Sequence, residues 1–76
     1  MLIAVLQMDD LEALNSAKRH LEENGYHAEV GPFAELPVSD RQDWMTPENG
    51  GYIFYLEKEK YQAAMKMLGT FFGYTG

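Results

Sequence analysis

No cysteine occurs anywhere in the chain, so neither a disulfide framework nor a thiolate zinc site is open to it. Basic residues are scarce: six Lys and Arg against twelve Asp and Glu leave a formal net charge of −6. A phosphate backbone is held by clustered bases, and here the few bases are scattered among carboxylates. Nucleic acid is therefore not an expected partner, and an anionic membrane surface is disfavoured on the same grounds. Long apolar stretches are missing too. The run Leu2-Ile3-Ala4-Val5-Leu6 has no basic flank before it and meets Asp9-Asp10 soon after. It reads as a buried strand and neither a signal peptide nor a membrane span, so the expected location is the cytoplasm. The two histidines, His20 and His27, lie seven residues apart without a matching pair. No metal or other cofactor is expected from them.

What is present suits one small domain. With 76 residues, positions 1–76 form a single domain around one hydrophobic core. A chain of this size buries only about 60 % of the surface its unfolded form exposes, so some added stabilisation is expected. Without disulfides or a metal, oligomerisation is the remaining source.

Periodicity marks five elements. Residues 2–7 form a short apolar strand ended by polar Gln7. Asp9 or Asp10 caps a helix to about Asn24, with Leu11, Leu14, Ala17 and Leu21 on one face. Asn24-Gly25 stops it, because glycine enters the left-handed region without a Cβ clash. A second strand, Tyr26 to Val30, alternates Tyr26, Ala28 and Val30 with His27 and Glu29, and Gly31-Pro32 ends it. A third, Tyr52 to Leu56, is unbroken aromatic and aliphatic. The last helix carries Tyr61, Ala64, Met65, Leu68, Phe71 and Phe72 at helical spacing, though Gly69 and Gly73 weaken its end.

The order strand, helix, strand, strand, helix predicts an α+β fold of ferredoxin-like type, β-α-β-β-α. Its sheet has the order 2-3-1, with two helices on one face. The third strand, the most apolar, belongs in the centre, and the polar side of the second belongs at an edge. Both the first and third strands are apolar on two faces: Leu2, Ala4 and Leu6 against Ile3 and Val5, and Ile53 and Tyr55 against Tyr52, Phe54 and Leu56. Two helices cover one face only. The other must be covered by the long loop at 33–51 or by a second subunit. A homo-oligomer, most simply a symmetric dimer, is expected, with Ile3 and Val5 as candidate interface residues.

The loop itself carries Phe33, Leu36, Val38, Trp44 and Met45, too apolar for disorder. Ser39 or Asp40 could cap one helical turn through Trp44, and Pro47, Asn49, Gly50 and Gly51 make a turn cluster. Asp40, Arg41, Asp43 and Trp44 are the candidate partner-binding group, since Trp and Arg are frequent at binding hot spots. The alternative for Trp44 is a structural cap on the open sheet face. Asp9, Asp10 and Glu12 are read as helix-capping acids, since no spacing matches a calcium loop. His20 and His27 are read as surface residues without a Ser or Cys nucleophile placed beside them. Gly50-Gly51 precedes a strand and lacks the context of a phosphate-cradling loop.

Asp10-Leu11-Glu12-Ala13, the segment Leu21-Glu22-Glu23-Asn24-Gly25-Tyr26-His27-Ala28-Glu29-Val30, and the helix opening Tyr61-Gln62-Ala63-Ala64-Met65 also carry a resemblance. Over residues 2–30 and 52–68 the chain resembles a family of short bacterial proteins of unknown function, described as signal-transducing. That resemblance implies a ferredoxin-like fragment related to the nitrogen-regulatory P-II proteins, whose long loop joins the second and third strands, as residues 33–51 do here. No nucleotide-binding or modification motif of those proteins is matched, and this loop lacks a tyrosine. The expected function is a non-catalytic regulatory or protein-binding module. The alternative is a small enzyme or metal-binding protein using His20, His27 or the acids near Asp10.

Overall fold

A computed structural model describes residues 1–46 and 50–73. In chain order the elements are β1 (Leu2–Met8), α1 (Leu11–Glu23), β2 (Ala28–Pro32), β3 (Tyr52–Glu57) and α2 (Tyr61–Phe71). Single 3-10 turns occupy Phe33–Glu35, Val38–Asp40 and Lys58–Lys60. Local chemistry sets both ends of α1. Asp10 is its N-cap, its Oδ1 accepting the Ala13 N–H at 3.1 Å. At the other end Gly25 has φ +86, the Tyr26 N–H donates to the Leu21 carbonyl at 2.9 Å, and the Gly25 N–H donates to that of Glu22 at 3.1 Å. This pair of bonds is a Schellman motif, and Tyr26 packs back onto the cluster that contains Leu21.

The architecture is α+β. β3 lies between β1 and β2 and runs antiparallel to both, as its composition predicts. Both helices join one cluster with the sheet: Leu14, Ala17 and Leu21 from α1 and Ala64 and Leu68 from α2 bury against Phe54, Leu56 and Ala28. α2 continues through Gly69 to Phe71, where its packing against the sheet outweighs the glycine's poor helix propensity.

Three sequence expectations need correction. First, β2 begins at Ala28 and continues through Gly31-Pro32, which pair with Ile53 and Tyr52. Tyr26 has already been taken by the helix ending, and a proline is tolerated because β2 is an edge strand. Secondly, the register of β1 against β3 shifts between Ala4 and Leu6, so strict alternation fails. At this bulge Val5 and Leu6 both pack with the helix-side cluster, while Ala4 packs on the opposite side. Val5 therefore does not share a face with the open side of the sheet. Thirdly, the loop's helical turns follow Pro32 and Pro37 and do not begin at Ser39 or Asp40. Each proline holds an extended backbone immediately before its turn. Pro47 and Asn49 of the expected turn cluster lie outside the described residues.

The face away from the helices is covered within the chain. Phe33 and Met45 bury with Ile53, and Ala4, Leu36 and Tyr55 pack around them. Of the two coverings the sequence left open, the loop takes this one. Gly51 makes the join possible: its φ is +72, and a Cβ there would stand 2.7 Å from the Met8 carbonyl oxygen.

Candidate functional site

The loop layer is built from two anchors and a polar latch. Phe33 follows β2 directly, its N–H donating to the Gly51 carbonyl at 2.9 Å, so the ring turns under the sheet as soon as the strand ends. Met45 is the second anchor. Gln7, which pairs with Ile53, is the latch. Its Oε1 accepts the Thr46 N–H at 2.7 Å, and its Nε2 donates to the Gly50 carbonyl at 2.6 Å and that of Thr46 at 3.2 Å. One side chain thus ties β1 to both sides of the loop's return. From sequence Gln7 marked only the end of a strand; the available signal was a lone amide inside an apolar strand.

Between the anchors, the candidate residues are dispersed by the backbone into different roles. Arg41 donates from Nε to the Leu36 carbonyl at 3.2 Å, and its guanidinium sits 4.4 Å from the Phe33 ring centroid. It fastens the loop to its own anchor through hydrogen bonding and cation–π attraction. Trp44 is 44 % exposed and its Nε1 donates to Gln42 Oε1 at 2.9 Å, while adjacent Met45 is only 5 % exposed. Of these neighbours, Met45 covers the sheet and the indole faces outward. Val38 is more exposed still, at 78 %. Asp40 and Asp43 are both exposed. Asp40 acts on Tyr55, whose phenol is held above its ordinary value first by burial and then by the Asp40 carboxylate.

The other candidates lie elsewhere. Asp10 is used in capping α1. The His20 ring packs on Phe71, centroids 5.3 Å apart. His27 stands between two carboxylates, with Nε2 3.0 Å from Glu29 and Nδ1 3.9 Å from Glu22, and Lys18 lies 3.7 Å from Glu29. The Lys18, Glu22, His27 and Glu29 side chains are between 33 and 47 % exposed. Among the described residues, no group of three or more His, Asp or Glu is placed to hold a metal ion. No helix of the described residues is long and apolar enough to cross a membrane. Ile3 lines a hollow beside the loop, and Val5 lines a groove between β1 and α2.

Compared with models of known families, with curated proteins and with solved structures, the chain matches none. The resemblance to short bacterial signal-transducing proteins rests on the quoted residues alone.

Proposed function

We propose that this chain is a non-catalytic regulatory or protein-binding module, acting in the cytoplasm, that contacts its partner through residues 36–44. One contrast carries the reading: Phe33 and Met45 are buried while Val38 and Trp44, between them, stand exposed. An indole held outward on a loop anchored at both ends offers a large apolar contact with little loss of conformational freedom on binding. Signal transduction is the role that the family resemblance implies. A photo-crosslinking residue at position 44, expressed in the native cells, tests the surface against the same residue at exposed Gln62. A partner captured at 44 and not at 62, and lost in a Trp44→Ala chain probed from position 38, is the expected result. Equal capture at both positions would remove the loop from the contact.

The same reading takes the fold as a ferredoxin-like fragment and the protein as a homodimer through β1. With the loop covering one face, the argument for a second subunit rests on the strand edge. β2 blunts its edge with Glu29 and Pro32, whereas β1 carries no charge from Leu2 to Met8. Beside β1 an apolar groove of about 340 Å³ opens between Val5, Leu6 and Met8 on one side and Met65 and Leu68 of α2, with Phe72 just after it, on the other. Sedimentation equilibrium of wild type and Val5→Lys checks it. A concentration-dependent dimer dissociated by the substitution is expected, and a single 8.7 kDa species at every concentration would exclude it.

A further inference from the structure

The loop does not close completely over the sheet. Where it passes β1, a hollow of about 350 Å³ remains, and its lining divides by chemistry. Leu2, Ile3, Ala4 and Leu36 make an apolar floor, and Asp40, Gln42 and Tyr55 supply the polar groups. The Asp40 carboxylate is the single charge in that lining. Among the described residues no cation is paired with it. Its neighbour Arg41 is occupied by the Leu36 carbonyl and the Phe33 ring, and the ion pairs of Lys18 and the chain's amino terminus involve other carboxylates. The Tyr55 phenol is held above its ordinary value first by burial and then by the nearby Asp40 carboxylate.

The Asp40 carboxylate and the Tyr55 phenol oxygen are acceptors beside an aliphatic floor, while the Gln42 amide oxygen already accepts the Trp44 indole N–H. The complementary group is a compact cation bearing three N–H donors on a methylene stem. A guanidinium can also pair bidentately with one carboxylate, and comparison of lysine and arginine peptides decides between the two heads. The whole chain, at −6, favours approach by a basic segment. We propose that this hollow receives a lysine side chain of the protein partner, its stem on Leu2, Ile3, Ala4 and Leu36 and its ammonium on Asp40. The inference rests on the reading of residues 36–44 as a contact surface and assigns that surface its specificity.

Three blocked tripeptides test it: acetyl-Gly-Lys-Gly-amide, the same peptide with norleucine, which keeps the stem and removes the charge, and the same peptide with arginine. Each is titrated into 15N-labelled protein at low salt. The lysine peptide should shift residues 2–4, 36, 40–42 and 55 saturably and bind about tenfold tighter than norleucine, the effect of roughly one charge-assisted bond. Asp40→Asn should remove that advantage, and added salt should weaken it. Asp40 is exposed, so the variant should stay folded, and its unchanged amide spectrum away from the loop checks this. Tyr55→Phe, which keeps the ring, should weaken lysine binding less than Asp40→Asn. Equal affinity for lysine and norleucine, shifts centred elsewhere, or indifference to Asp40→Asn would overturn the proposal, and tighter arginine binding would overturn its choice of cation. Cross-linking from position 44 separates the two readings. A captured partner that survives Asp40→Asn removes the lysine pocket and leaves the module. Saturable, Asp40-dependent lysine binding with no partner captured leaves the pocket as an amine site and removes the module.

Discussion

The two faces of the sheet are covered by different means. On the helix side, Leu14, Leu21, Phe54 and Leu56 have no solvent exposure, and two helices with their own hydrogen bonds hold them there. On the loop side, Phe33, Met45 and Ile53 are the buried residues, and their covering is a chain of short turns latched by Gln7. β3 serves both, sending Phe54 and Leu56 one way and Ile53 and Tyr55 the other. The difference teaches where the molecule can open. A layer with few buried contacts and few backbone bonds of its own opens at lower free energy than the core it covers. A contact surface belongs on such a layer, because adjusting it leaves the fold standing.

The largest effect that would sharpen this contrast comes from the central strand's helix side. Phe54→Ala should cost about 3–5 kcal/mol and Leu68→Ala, opposite it on α2, about 2–5 kcal/mol. For a domain of this size, whose total stability is on the order of 3–5 kcal/mol, either approaches global unfolding in a denaturant titration. A loss below about 0.5 kcal/mol for either would mean that the helix layer is not the stabilising one.

Met45→Ala should act on the other face and act locally. The expected loss is about 2 kcal/mol, at the low end for a buried methionine, because the loop can settle into part of the vacated space. Native-state hydrogen exchange distinguishes it from Phe54→Ala. Amides at 33–46 should accelerate while those of strand 52–57 stay slow, and equal acceleration of both would show the two layers opening as one unit.

Smaller again is the latch. Gln7→Ala should cost about 1 kcal/mol, since its partners on Thr46 and Gly50 are reachable by water once the amide is gone. Its more telling consequence is faster exchange at Thr46, whose N–H it accepts. An unchanged rate there would show that the loop is held by its hydrophobic anchors alone.

The smallest effect is on pH dependence. Because folding raises the Tyr55 phenol's pKa, the folded state keeps its proton where the unfolded state loses it. This contribution to stability is complete below the unfolded value of about 10 and is lost as pH rises through the folded value. Asp40→Asn should lower the Tyr55 value only in part, since burial is the larger cause. Tyrosine 13Cζ titration reads this directly, and a complete return to the unfolded value would make the carboxylate the dominant cause.

The sequence by itself determined what depends on neighbours along the chain. Asp10, Leu14, Ala17, Leu21 and the Asn24-Gly25 stop specify α1 by capping, periodicity and a left-handed residue, all within a few positions. The apolar run of β3, together with the order strand, helix, strand, strand, helix, pointed to its central place, although β1, equally apolar on two faces, lies at an edge. The site was legible in fragments. Asp40, Arg41 and Trp44 stood out by residue type, but nothing linked Asp40 to Tyr55 or to Leu2, Ile3 and Ala4. Tertiary structure alone decided those links. It brought Gln7 to Thr46 across 39 positions, inserted the bulge that moved Val5 to the helix side, and turned Met45 inward and Trp44 out. The physical reason is common to all three. A side chain's local preference is nearly the same on either face of a strand or either side of a loop. Which one it takes follows from the volume and hydrogen bonds offered by residues far away in the chain.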